Sequence, residues 1–241
     1  MVSREAVAAL LHELYIGEPR ARLRADDERK VDEVTALLDE LDRVLPRVRP
    51  ATVVDLGAGR SLVGFAAVLL LAPDRPVSYL GVERDAARAA RAEALAAGRG
   101  RGRLAVVAGD AAVVPLPVRP DVVLALHACG EATDDAIARA ISLEARHALI
   151  VPCCRRRRER ASFDRLGIPT HAGVRTPLDE LLTDAERVLE LEAAGYEVTV
   201  LPLVPASTTP QNRLLRARRI AEPRRATGAA RGLARLRATF G

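Results

Sequence analysis

The chain has 241 residues, of which 49% are hydrophobic and 29% charged. This is the composition of a globular domain, and it excludes wholesale disorder and a collagen-like chain. The longest apolar run, Leu62 to Ala72, covers 11 residues, whereas a helix needs about 20 to cross a bilayer. The first residues lack the apolar core of a secretory signal, and three cysteines do not make a disulfide framework. We therefore expect a cytoplasmic protein with no membrane partner.

Positive charge is concentrated in two segments. The formal net charge is +5, and Lys30 is the only lysine among 37 basic side chains. Nine arginines and a single glutamate follow Pro210, and a second basic run occupies Arg155 to Arg158. These segments could hold a phosphate backbone, or they could be the solvated surface of an arginine-rich protein. With aromatic residues at 2%, few side chains are available to stack on unpaired bases.

The hydrophobic pattern changes along the chain. Helical spacing covers 3–14 and 27–45, and Pro46 ends the second helix. Apolar runs typical of buried strands then alternate with helical segments, which predicts βαβ units and a parallel sheet. The predicted strands are 51–56, 77–83, 103–109, 121–127 and 147–152, and the predicted helices between them are 62–71, 85–97 and 131–145.

The last part of the chain predicts a β-hairpin. We interpret the polar region 155–177 as a lid, and a helix from Pro177 to Ala194 follows it. Two further strands, 196–204 and 212–220, are joined by only 7 residues. A parallel crossover needs about a dozen residues, so this pair must be antiparallel. The predicted division of the chain is a helical extension at 1–50, a main domain at 51–220 and a basic C-terminal tail at 221–241.

A glycine turn follows the first predicted strand. Asp55 precedes Gly57-Ala58-Gly59, and such a turn lets a ligand approach the backbone at the start of a helix. The dinucleotide fingerprint needs a third glycine at position 62, where Leu62 stands, so pyrophosphate binding is disfavoured. An acidic residue before the turn suits a cationic or amine-bearing ligand. The alternative is a tight turn that needs glycine only for backbone reasons.

Two more acidic residues end neighbouring strands. Glu83 closes the second strand, where a carboxylate can accept from both ribose hydroxyls, and Asp110 follows the third strand. Each residue alone could be a solvated loop carboxylate. Together with Asp55, they place three acids at the carboxyl ends of three parallel strands. This arrangement predicts a nucleoside-shaped cleft.

The segments VVDLGAG (53–59), GVE (81–83) and GDA (109–111) resemble the class I S-adenosylmethionine-dependent methyltransferases. The resemblance covers 51–220 and implies an α/β, Rossmann-like fold whose seven-stranded, mostly parallel sheet ends in an antiparallel β-hairpin, here with N-terminal helices before it. It also implies S-adenosyl-L-methionine as the cofactor. The cofactor-binding residues that it implies are Asp55, Gly57, Ala58 and Gly59 at the methionine end, Glu83 and Arg84 at the ribose, Asp110 and Ala111 at the adenine, and His127 near the methyl group.

A narrower resemblance involves LHACGEATDDAI (126–137), VPCC (151–154) and TPQN (209–212). These are similar to a methyltransferase group with an HxCGxATD segment and paired cysteines. The group includes a tRNA ribose 2′-O-methyltransferase and the methyltransferase domain of a glutathione-transferase-like protein. Arginines follow the paired cysteines here, where the tRNA enzyme has histidines.

The candidate catalytic residues are His127, Cys129 and Asp134. His127 could act as a general base, or it could hydrogen-bond the backbone and shape the pocket. Asp134 could instead cap the helix that it begins. Cys129 and the pair Cys153 and Cys154 could be buried thiols, a nucleophile toward a pyrimidine, or ligands of a metal beside His127. We predict no metal site.

The expected reaction is methyl transfer to an oxygen or nitrogen nucleophile. RNA is the first substrate hypothesis, with Arg155 to Arg158 and the C-terminal arginines as its contacts. The alternatives are a methyltransferase acting on a small molecule or protein, and a non-catalytic RNA-binding module with the same fold.

Overall fold

A computed structural model describes residues 2–17, 22–71, 76–100, 102–128, 131–152, 160–209 and 212–240. Helices and strands alternate through the middle of the chain, as the hydrophobic pattern predicts. The helices are α1 (Arg4–Tyr15), α2 (Ala25–Val44), α3 (Leu62–Leu69), α4 (Ala86–Arg99), α5 (Ala132–Ser142), α6 (Arg160–Arg165), α7 (Ala172–Ala193) and α8 (Pro223–Phe240). The strands are β1 (Ala51–Leu56), β2 (Val77–Glu83), β3 (Leu104–Ala108), β4 (Val122–Leu126), β5 (His147–Val151), β6 (Tyr196–Pro202) and β7 (Arg213–Arg219).

The seven strands form one sheet in the order β3-β2-β1-β4-β5-β7-β6. Strands β1 to β5 pair in parallel, and β7 pairs antiparallel to both β5 and β6. The predicted parallel sheet with a reversed hairpin is therefore confirmed. The strand order changes direction between β1 and β4, where ligands bind in open α/β sheets.

Helices cover both faces of the sheet. Apolar residues of α1 to α4 share one hydrophobic cluster with the sheet, and those of α5 and α7 share the other. All five residues of β4 are buried, since this strand has neighbours on both sides and helices on both faces. The N-terminal helices thus belong to the main core, because α2 buries Val31, Val34, Leu37, Leu38 and Leu41 completely.

The segment before the hairpin differs from its predicted form. Helix α7 begins at Ala172 and includes Pro177, where the pattern predicted the helix to start. The guanidinium of Arg175 holds the first turn of α7, because it donates to the carbonyls of Pro169 and Ile168 at 2.8 and 2.6 Å. The first part of the predicted lid, 155–159, lies outside the described residues.

The predicted basic tail contains a helix. Helix α8 spans nearly all of 221–241 and packs along α7. Ala229 is the buried residue of this helix, and its other side chains are exposed or half-buried.

Candidate active site

A cavity of about 740 Å³ lies at the carboxyl end of β1. Its floor is the turn after β1, and its roof comes from α1, α2 and the loop between them. A volume of this size is typical of small-molecule sites. The residues that line it are Leu11, Tyr15, Ile16, Arg22, Arg24, Asp26, Asp27, Lys30, Asp55, Gly57, Ala58, Gly59, Arg60, Leu62, Val63 and Leu126.

Asp55 lies on the floor of this cavity with 3% of its surface exposed. The hydroxyl of Tyr79 donates to Asp55 Oδ2 at 2.6 Å. Burial raises the pKa of Asp55 to about 6, while the Tyr79 hydrogen bond and the charge of Lys30 oppose this rise. A buried carboxylate beside a cavity is stabilised by a cationic ligand, so the site suits an ammonium group.

The turn that follows Asp55 is left-handed at three positions. Gly57, Gly59 and Ser61 have φ angles of 82°, 60° and 61°. The N–H groups of Gly57 and Ala58 both donate to the carbonyl of Val82 at 2.9 Å. These bonds fix the turn against β2 and leave its backbone at the cavity wall, where a ligand can approach it.

The three predicted acids meet at one edge of the sheet. Glu83, 7% exposed, accepts from the N–H of Gly59 at 2.8 Å and from that of Asp85 at 2.9 Å. Its charge is close enough to affect the pKa of Asp55. Asp110 is exposed and accepts from the N–H of Ala112 at 2.8 Å. The edge therefore carries a line of carboxylates along the ends of β1, β2 and β3.

Arg84 and Ala111 border these acids. Arg84 is exposed directly after β2, and Ala111 is half-buried beside Asp110. The N–H of Gly109 donates to the carbonyl of Glu83 at 3.0 Å, which ties the end of β3 to that of β2. The predicted ribose and adenine residues are thus neighbours in the fold.

His127 connects the end of β4 to the N-terminal helices. Its φ angle is 57°, and its N–H donates to the carbonyl of Val151 at 3.0 Å. The imidazole Nε2 lies 2.8 Å from Oε1 of Glu33, a residue of α2 that is 7% exposed. The other ring nitrogen, Nδ1, is buried. The contact between His127 and Glu33 therefore holds α2 against the carboxyl end of β4, where methyl transfer is expected.

Neither His127 nor Asp134 is among the residues that line the cavity. Asp134 accepts from Nε of Arg187 at 2.9 Å, and this arginine of α7 is 2% exposed. Cys129, Cys153 and Cys154 lie outside the described residues. Within the described ranges, no group of three or more histidine, cysteine, aspartate or glutamate side chains is arranged to hold a metal ion.

Three site residues escape the sequence patterns. Tyr79, Glu33 and Lys30 contact or face the predicted residues from β2 and α2. Glu33 has a detectable signal, since it is a charged residue within the apolar stripe of α2. Lys30 has another, because it is the only lysine of the sequence.

Acidic neighbours neutralise most of the C-terminal arginines. Six of them form ion pairs with α2, α7, β6 or the turn after α5, and these are Arg213, Arg216, Arg218, Arg219, Arg225 and Arg237. Among the described residues, Arg224, Arg231 and Arg235 have no acidic partner, and all three are exposed on α8. The arginine count therefore overstates the positive charge that this end of the molecule presents.

No described helix combines the length and the apolar character that a membrane span requires. The model of a family described as a methyltransferase domain matches residues 29–160, which is more than half of the chain. No curated protein matches the sequence.

Several solved structures share the fold at low identity. The [4+2]-cyclase SpnF has a TM-score of 0.56 at 16% identity, over 90% of this chain and 94% of its own. A Listeria monocytogenes protein assigned as a class I S-adenosylmethionine-dependent methyltransferase has a TM-score of 0.54 at 14% identity, over 99% and 80%. Magnesium protoporphyrin IX methyltransferase from Synechocystis, solved with its methyl donor bound, has a TM-score of 0.51 at 14% identity, over 88% and 90%. At these identities the likeness concerns the fold.

Proposed function

Because the chain belongs to this methyltransferase-domain family and uses S-adenosylmethionine as its methyl donor, we propose that it methylates an oxygen or nitrogen nucleophile of RNA. A reducing cytoplasm is the compartment that we propose for it, since its three cysteines give no disulfide framework.

The residues around the cavity fit this cofactor. When bound, S-adenosylmethionine supplies an electrophilic methyl group on a positively charged sulfur. We propose that Asp55 accepts from the ammonium group of its methionine moiety and Glu83 from the ribose hydroxyls. Asp110 and Ala111 would contact the adenine. The backbone of Gly57 to Gly59 would contact the methionine end of the cofactor. The support is chemical, because a buried carboxylate with a raised pKa favours a cation at the cavity floor.

The residues at the end of β4 would orient the acceptor. In-line transfer needs the acceptor atom opposite the sulfur, so the walls of the site must fix its approach. His127 Nε2 is hydrogen-bonded to Glu33 and Nδ1 is buried. We therefore propose that His127 positions other groups. If its ring removed a proton from the acceptor, the hydrogen bond to Glu33 would have to break first. Cys129 stays a candidate contact because it follows His127 by two residues, whereas Asp134 is engaged by Arg187.

One observation carries the RNA proposal. The carbonyl of Val151 accepts from the N–H of His127, and Arg155 follows Val151 by four residues. The run Arg155 to Arg158 therefore follows β5 closely in the sequence, and we propose that it contacts the phosphates of a substrate strand.

Matched arginine variants test this proposal. We expect Arg156→Gln/Arg157→Gln/Arg158→Gln to bind unmodified tRNA transcripts more weakly, with a salt dependence shallower by about 2 in log–log slope. The control is Arg224→Gln/Arg231→Gln/Arg235→Gln, which removes the same charge from α8 and should change affinity much less. Fluorescence anisotropy at several salt concentrations measures both, and transfer of labelled methyl groups to the same transcripts measures the reaction. Equal losses in both variants would contradict a role for the run.

A small-molecule acceptor is the second candidate. Two observations favour it: α1 and α2 roof the cavity, and ion pairs neutralise six C-terminal arginines. On this hypothesis the protein binds the cofactor but neither binds nor methylates tRNA and rRNA transcripts. Such a result would replace the RNA proposal.

A further inference from the structure

The cavity presents opposite charges on its floor and its roof. Asp55 lies on the floor, and Lys30 of α2 lines the same cavity. Lys30 is half-buried, and its positive charge lowers the pKa of Asp55, so the two groups are within electrostatic reach. Among the described residues, the Lys30 ammonium has no hydrogen-bond or ion-pair partner. A cation in this position is available to a ligand.

The acidic residues beside Lys30 are bonded to other groups. Asp26 forms an ion pair with Arg29, and Asp27 accepts from the N–H of Arg24 at 3.0 Å. Their carboxylates therefore have partners near the start of α2. The cavity contains an ammonium that these neighbours do not neutralise.

Helix α2 is fixed relative to the floor. Glu33 bonds His127 at the end of β4, and β4 pairs with β1, which carries Asp55. Lys30 precedes Glu33 by three residues, so the two side chains lie on the same face of α2, about 4.5 Å apart along its axis. The contact that holds Glu33 at β4 therefore also sets the position of Lys30 over the neighbouring strand end.

The choice of lysine is itself informative. Lys30 is the only lysine among 37 basic residues, so arginine is the usual cation of this chain. An ammonium is a compact point charge, whereas a guanidinium is wide and planar. A compact cation suits a confined site opposite a carboxylate.

We propose that Lys30 binds the carboxylate of the cofactor's methionine moiety while Asp55 binds its ammonium group. An amino acid carries these two charges on one carbon atom, and the cavity offers the complementary pair. The inference rests on the proposed placement of the methionine end at Asp55. It adds an electrostatic contact from the N-terminal helices, which the glycine turn and the three acids do not supply.

Three ligands separate this contact from other effects of a substitution. S-adenosylhomocysteine carries both charges, decarboxylated S-adenosylmethionine lacks the carboxylate, and 5′-methylthioadenosine lacks the whole amino-acid moiety. We expect Lys30→Met to weaken binding of S-adenosylhomocysteine by roughly 10- to 100-fold, as the loss of a charge-assisted hydrogen bond implies. Affinity for the other two ligands should stay within about twofold of wild type. Isothermal titration calorimetry measures all three.

The control is Arg43→Gln, which removes a positive charge from the opposite end of α2, outside the cavity lining. It should leave all three affinities nearly unchanged. An unchanged affinity of Lys30→Met for S-adenosylhomocysteine would overturn the proposal, and so would an equal loss for all three ligands. Asp55→Asn tests the placement separately, since it should weaken both ligands that carry an ammonium group. If Asp55→Asn binds every ligand like wild type, the placement of the methionine end is wrong, whatever Lys30→Met does.

Discussion

Asp55 is an acidic residue that is almost completely buried. Its carboxylate has one strong hydrogen bond, from Tyr79, and loses its hydration to the buried end of β1. Burial therefore raises its pKa to about 6. In the ligand-free protein at neutral pH, Asp55 is ionised, and burial makes this charged form less stable than it would be in water. Binding of a cation would remove this cost.

The raised pKa of Asp55 predicts a specific pH dependence of stability. The folded state binds more protons than the unfolded state between about pH 4 and 6, so Asp55 contributes stability below pH 4 that is lost as the pH rises through 6. Asp55→Asn should therefore increase the free energy of unfolding at pH 7 by up to about 3 kcal/mol, with little change at pH 4. Urea unfolding at both pH values checks this. A decrease at pH 7, or the same difference at both values, would contradict it.

Sequence patterns predicted that these acids stand together at strand ends, but they did not predict the partners of the acids. Asp55 and Glu83 stand at strand ends, and the alternation of strands and helices suffices to bring strand ends together. Tyr79 and Glu33 reach these ends from within a strand and a helix, and the contact of Glu33 with His127 joins residues 94 positions apart. Such contacts depend on how helices pack on the sheet, which hydrophobic periodicity does not specify.

At the scale of elements, Gly64 determines how closely α3 approaches the sheet. A Cβ atom at this position would lie 2.6 Å from Ser61 Oγ, 2.7 Å from a ring carbon of Tyr79 and 2.8 Å from Leu104 Cδ1. Two of these neighbours are buried core side chains, and Tyr79 is the donor to Asp55. The packing of α3 and the geometry of the cavity floor are therefore coupled.

Gly64→Ala should destabilise the protein by about 1–3 kcal/mol, the usual cost of overpacking a core. It should also weaken S-adenosylhomocysteine binding, because Tyr79 must move. Gly98→Ala in α4 is the matched control, since no atom lies within 4 Å of its added Cβ, and it should be neutral or stabilising. Thermal unfolding and calorimetry of the two variants test this. Equal stability of the pair would show that α3 can shift without cost.

The element boundaries show where sequence patterns fail. Proline is favoured in the first turn of a helix, so the pattern places the start of α7 at Pro177. The structure begins α7 at Ala172, because Arg175 bonds two carbonyls of the preceding segment and Asp164 of α6. The start of α7 depends on contacts between the Arg175 side chain and the preceding segment. The residues next to the helix start do not reveal such contacts, so the sequence pattern could not predict it.

At the scale of the whole molecule, the N-terminal helices and the sheet share one core. Leu37, Leu38 and Leu41 of α2 are fully buried in the cluster that contains Val53 of β1 and Phe65 of α3. Removal of α2 from the sheet would expose the centre of this cluster. The positive charge of the C-terminal segment is likewise a property of the whole molecule. A count of arginines along the sequence does not include the acidic residues that pair with them in the folded protein.

We expect the protein to unfold in a single transition that includes α1 and α2. Leu37→Ala should lower the free energy of unfolding by about 2–5 kcal/mol without creating a second transition. Differential scanning calorimetry gives the number of transitions, and hydrogen exchange of the α2 amides shows whether this helix opens with the sheet. Separate melting of α2 would mean that residues 1–50 form an independent unit.

The single lysine has a consequence for labelling chemistry. Its ε-amine is the one side-chain amine of the sequence, and it faces the interior of the cavity. An amine-reactive reagent therefore has one side-chain target, and the rate of acylation there reports whether the cavity is occupied. The arginine-rich composition thus provides a site-specific chemical probe in the native chain, without an engineered cysteine or a tag.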